Sequence, residues 1–166
     1  MFKKLLFAAG VLIISGSNVF ADSKTFVTYR SLTVETALEL AKATLDACRK
    51  MDYQIAVAVV DRGGNTQVIL RDRFAGPHTG ETARRKASTA VSFRTDTLEL
   101  NKLSEPGNLA SGIRGLPGVA AIGGGVLIQA AGSLVGGVGV SGAPGGTVDD
   151  QCAKQGLAKI QDKLDF

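Results

Sequence analysis

The chain of 166 residues holds one histidine, and that histidine lies within a run of arginines. Arg71, Arg73, His78, Glu81, Arg84 and Arg85 fall inside a single short stretch. An imidazole binds a metal through one ring nitrogen, and guanidinium groups bind carboxylates through paired, charge-assisted hydrogen bonds. Side by side they suit a ligand that carries both a metal and carboxylates. The plainer reading of the same residues is a solvated basic face.

The two cysteines, Cys48 and Cys152, lie about 100 residues apart, which is neither a CxxC redox motif nor a zinc spacing. Only His78 is present to complete a soft ligand set. Two buried thiols and one intrachain bridge both remain open. Gly137-Val138-Gly139-Val140-Ser141-Gly142 matches GxGxxG. Its glycines lie within a strand-like run, however, and the chain ends before the further strand that a dinucleotide fold requires. There is no GxSxG, and no spacing marks a pair of carboxylates, so no catalytic constellation is visible.

These side chains need elements to hold them. Leu38, Ala41, Leu45 and Cys48 recur at helical spacing behind Thr33, a good N-cap, which predicts a helix over 33–50. Ile55–Val60 and Gln67–Leu70 are apolar runs around Gly63-Gly64, the pattern of a hairpin. A loop carrying Arg71, Arg73 and His78 leads to a helix over 79–93 with Ala83, Ala87, Ala90 and Val91 on one stripe. Such small side chains permit close packing. Asp96–Leu103 reads as a weaker helix. Between Gly107 and Gly146 stand 14 glycines in 40 residues, interleaved with Val119–Ile122, Val126–Ala130 and Leu134–Val140. These predict three short strands with corners at Gly123-Gly124-Gly125 and Gly132-Ser133. Thr147-Val148-Asp149-Asp150 has capping-box spacing, and a last helix follows it. The order predicts an α+β fold, an antiparallel sheet of about five strands flanked by helices.

Composition bounds the rest. With 45% hydrophobic and 20% charged residues the chain can bury a core, which excludes disorder. Lys3 and Lys4, an apolar run over 5–14 and the Val19-Phe20-Ala21 cleavage pattern predict a secretory signal peptide over 1–21 and a single domain over 22–166. The expected location is periplasmic or secreted, in a bacterium. Without the two lysines the net charge falls from +4 to +2, and few aromatic residues remain. Nucleic-acid binding thereby loses its electrostatic and stacking arguments, and no membrane span is expected after cleavage.

Five blocks in order then resemble one family. They are Ala58-Val59-Val60-Asp61-Arg62-Gly63-Gly64, the stretch Glu81-Thr82-Ala83-Arg84-Arg85-Lys86-Ala87-Ser88-Thr89-Ala90, Gly123-Gly124-Gly125, residues Gly136–Gly142, and Asp150-Gln151-Cys152-Ala153-Lys154-Gln155-Gly156. Together they are similar to the GlcG/HbpS family over nearly all of residues 31–164. The resemblance implies an antiparallel sheet flanked by helices, symmetric homo-oligomers up to octamers and, for some members, haem binding. It also implies occurrence beside corrinoid adenosyltransferases. The expectation is an exported haem-binding protein for storage, transport or sensing, with His78 on the iron and Arg71, Arg73, Arg84 or Arg85 on the propionates. The alternative is an accessory protein that binds an organic acid or a corrinoid without haem. The bridge between Cys48 and Cys152 is expected if the first and last helices lie antiparallel on one sheet face.

Overall fold

The computed structural model describes residues 25–165, so the expected signal peptide lies outside the described residues. Helix α1 (Val34–Arg49) begins as expected, with the Thr33 Oγ1 accepting the Thr36 N–H at 3.3 Å. That bond satisfies one of the donors that every helix N-terminus leaves over. The helix buries Ala37, Leu40, Ala41, Thr44, Leu45 and Cys48 on one stripe. Thr44 is tolerated there because its hydroxyl donates to the Leu40 carbonyl at 2.8 Å, which leaves no orphaned group.

Strands β1 (Ala56–Asp61) and β2 (Thr66–Arg71) form the expected hairpin. In β1 every side chain up to Val60 is buried, on both faces, which is why the run is continuously apolar instead of alternating. After them come α2 (Thr79–Phe93), α3 (Thr97–Leu103), β3 (Gly125–Ala130), β4 (Ser133–Ser141) and α4 (Gly146–Ala158). The sheet order is β2-β1-β4-β3, antiparallel throughout. The tight β3–β4 corner has positive φ at both Ala131 and Gly132, as a primed hairpin turn demands.

Three layers result. Val57, Val59, Val138 and Val140 pack with α1 and α4 on one face, while Ala56, Ala58 and Val60 pack with α2 on the other. The alanine stripe lets α2 lie almost on the backbone of β4. A Cβ on Gly139 would stand 1.9 Å from the Ala83 carbonyl oxygen. The stripe is therefore used within the chain and is not offered to a second copy.

The disulfide expectation is met in this structure. Cys48 and Cys152 are bridged, with Cα atoms 5.3 Å apart across 104 positions of sequence, because α1 and α4 share a sheet face. A second long-range tie passes between the layers. Lys86, only 2% exposed, donates to Asp149 Oδ2 at 2.7 Å, and the Ala143 N–H donates to Asp149 Oδ1 at 3.0 Å. Burial pushes the Asp149 carboxyl up, against the pull of the Lys86 ammonium.

Three local expectations need correction. The sheet has four strands, not five, because Val119–Ile122 is not a strand. Its backbone groups find side chains instead: the Ala120 N–H donates to Thr89 Oγ1 at 2.9 Å and Asn101 Nδ2 donates to the Ala121 carbonyl at 2.9 Å. Gly123-Gly124-Gly125 is accordingly the lead-in to β3 and not a hairpin corner. The capping box also fails. Helix α4 starts behind Gly145 with no side-chain cap, which puts Thr147 inside the helix, and Asp150, the acid of the box, pairs with Lys154 at 2.8 Å.

Candidate functional site

The loop between β2 and α2 presents His78. The residue occupies the N-cap position of α2 with helical backbone angles, and its side chain caps nothing. The first turn is closed by backbone instead: the Thr79 N–H donates to the Gly76 carbonyl at 3.0 Å, and the Thr82 N–H donates to the His78 carbonyl at 3.0 Å. Neither ring nitrogen of His78 has a hydrogen-bond partner among the described residues, and the side chain is exposed. Its Nδ1–Cε1 edge lies against Gly76, where an added Cβ would stand 3.0 Å and 2.8 Å from those two atoms. The opposite edge, with Nε2, is left for a ligand.

The four arginines differ in what they have left to give. Arg84 and Arg85 both donate to Glu81, through Nε and Nη2 of Arg84 at 2.7 Å each and Nε of Arg85 at 2.8 Å. These bonds, Arg84's first and then Arg85's, hold the Glu81 carboxyl down at about 2. Arg71 donates to the Ala75 carbonyl and so stiffens the loop before His78. Arg73 lies over the Phe74 ring, 6.0 Å from its centroid, with no carboxylate partner among the described residues. Phe74 itself is 78% exposed. Spacing along α2 puts His78, Glu81 and Arg85 on one helix face, at i, i+3 and i+7.

Among the described residues no three His, Cys, Asp or Glu side chains gather in a way that would hold a bare metal ion. A metal at His78 would have to bring its own donors, as a porphyrin does. The donor set fits that case: one unpartnered imidazole, one uncommitted guanidinium, one exposed aromatic face. Sequence reading found these residues because they are contiguous. It missed Lys86 as a buried ion-pair partner, although its place on the alanine stripe, three after Ala83 and four before Ala90, was the available signal. It also missed a cleft at the far end of the sheet, where Arg62 and Arg94 meet Gln129 and Ser133. No sequence spacing joins those four.

The fold and the site together define a three-layer α+β domain in which an exposed imidazole opens α2, within a stretch of chain that carries four arginines. The chain belongs to the family described as haem degrading protein HbpS-like, whose model matches residues 32–158. A crystallised double mutant of HbpS from Streptomyces reticuli is 39% identical and superposes with a TM-score of 0.78, covering 88% of this chain and 98% of that one. The crystal structure named as a PduOC:heme complex is 29% identical at a TM-score of 0.74, over 79% of this chain and 96% of that one. The corrinoid adenosyltransferase PduO of Salmonella typhimurium is 34% identical over 106 residues, 63% of this chain. The chain spans about a third of the length of that relative.

Proposed function

We propose that this is an exported haem-binding protein in which His78 supplies an axial ligand to ferric haem. The observation that carries the reading is the exposed imidazole of His78, with no hydrogen-bond partner among the described residues, at the end of the same loop that carries the exposed Phe74 ring and Arg73. When bound, haem supplies the iron, and with it storage, transport or sensing of haem. Its chemistry is the cofactor's own. The chain's residues would do the holding. Arg73 and Arg71 would hold the propionates, while Arg84 and Arg85 would share their charge between a propionate and Glu81. Each charge-assisted bond of this kind contributes about 1.5–3 kcal/mol.

Support comes from a relative crystallised with haem and from the family's description. The reading of export rests on the pattern of residues 1–21, and the disulfide accords with an oxidising compartment. Because His78 stands on an open face, a second copy of the chain could cover the other side of the haem, which gives the proposed homo-oligomer a role at the site. The resemblance to corrinoid adenosyltransferases keeps one alternative, a corrinoid ligand on the same face.

A visible titration with haemin tests the reading. We expect a saturable Soret shift that His78→Ala changes in position and weakens by tenfold or more, and that Arg73→Gln weakens without moving. An unchanged spectrum in His78→Ala would exclude the ligand role. No specific shift in the parent protein, with saturable binding of cobalamin, would favour the corrinoid alternative.

A further inference from the structure

At the opposite end of α2 from His78 the chain builds a second cationic place. Helix α2 has 15 residues, so its two ends lie about 22 Å apart. Its last turn is closed by Arg94, which takes the left-handed conformation with φ 51° and ψ 39° while its N–H donates to the carbonyls of Ala90 and Val91. Helix ends of this kind are normally closed by glycine, because a side chain is strained there. The chain has 21 glycines and places an arginine at this one. Strain kept at a position where a simpler residue would fold better points to a use for the side chain.

Arg94 and Arg62 line one cleft of about 300 Å³, with Leu127, Gln129, Gly132, Ser133 and Leu134. An adjoining cleft of similar volume shares Arg62, Ser133 and Leu134, and reaches Thr28, Tyr29 and Arg30. The Arg62 guanidinium is steadied over the Tyr29 ring, 5.4 Å from its centroid. Its neighbour Asp61 does not neutralise it, because Asp61 Oδ1 accepts the N–H groups of Gly63 and Asn65 at 2.8 Å and 2.9 Å within its own turn. Neither Arg62 nor Arg94 has a carboxylate partner among the described residues.

We infer that this cleft binds a small dicarboxylate. Two guanidinium groups without carboxylate partners among the described residues match two carboxylates in bidentate fashion. Gln129 and Ser133 add neutral hydrogen-bonding groups. The side chains of Leu127 and Leu134 give an apolar wall for the methylene linker between the carboxylates, a feature for which inorganic phosphate has no use. The inference stands apart from the haem reading, since no residue is shared with the His78 face.

Calorimetric titration of the purified full chain with succinate, at fixed ionic strength, tests it. We expect one saturable site that Arg62→Gln and Arg94→Gln each weaken at least tenfold and that His78→Ala leaves unchanged. The decisive variant is Arg94→Gly, which removes the guanidinium and relieves the backbone at once. It should melt at a higher temperature than the parent and yet lose succinate binding. Retained binding in Arg94→Gly, equal affinity for acetate or phosphate, or no saturable binding of succinate would each overturn the assignment.

Discussion

Glu81 sets how much of the basic face is available. Its bonds to Arg84 and Arg85 hold its carboxyl at about 2, below the ordinary value of 4.5. A carboxylate whose folded value is depressed contributes stability that is present above 4.5 and lost as pH falls toward 2. The side chain is half exposed, so that contribution is about 1 kcal/mol or less. Its greater effect is on ligand binding, because two of the four arginines near His78 are already engaged. Glu81→Gln should therefore tighten haem binding by about threefold to tenfold, equal to ~0.7–1.4 kcal/mol, with little change in melting temperature. Titration of the variant with haemin at pH 7 measures it. Unchanged affinity would show that Arg84 and Arg85 stay away from the propionates.

Contact between α2 and the sheet rests on residues that lack side chains. Gly139 lies directly under the Ala83 carbonyl, at a distance that no Cβ can occupy. Backbone cannot move aside as a flexible side chain can, so Gly139→Ala must lift α2 from β4 and open the layer that holds Ala56, Ala58 and Ala87. Overpacking of this kind costs about 1–3 kcal/mol, and more where the obstacle is backbone. We expect a loss of at least ~3 kcal/mol by urea denaturation, whereas Gly132→Asn at the exposed turn should cost little, because Asn tolerates positive φ.

The same scale shows what was legible. Helices announced themselves through stripes, and α2 was bounded residue for residue because its alanines repeat at helical spacing between a loop and Arg94. Val119–Ile122 looked like a strand because it is β-branched and short. What decided against it were the Thr89 hydroxyl and the Asn101 amide, both distant in sequence. Thr147 looked like a cap because its spacing to Asp150 was right, but the helix begins one residue earlier behind Gly145, and Asp150 pairs with Lys154. At the site the contiguous cluster was readable and its internal pairing was not, since Glu81 was counted as a member and not as a competitor of any ligand.

Over the whole molecule there are two long-range ties: the buried pair Lys86–Asp149, which passes between the layers, and the disulfide Cys48–Cys152, which joins α1 to α4 within one layer. The pair joins α2 to α4, but buried ion pairs repay little beyond their desolvation. The disulfide is different in kind. It closes a loop of 104 positions, which in the chain-entropy model stabilises by about 4–5 kcal/mol, much of the stability of an ordinary domain. Both sulfur-bearing residues are fully buried, so a reductant reaches them only when α1 and α4 separate. We therefore expect native protein to resist thiol alkylation in mild reductant, and intact mass to show two hydrogens fewer than the reduced chain. Cys48→Ala with Cys152→Ala should lower the urea midpoint by an amount worth about 4 kcal/mol. The bridge lies on the face of the sheet away from α2, so the same double variant, held folded, should keep the haemin spectrum of the parent. A spectrum lost with the bridge would mean that the His78 face depends on the opposite layer. Unchanged stability would mean that α1 and α4 are held by packing alone.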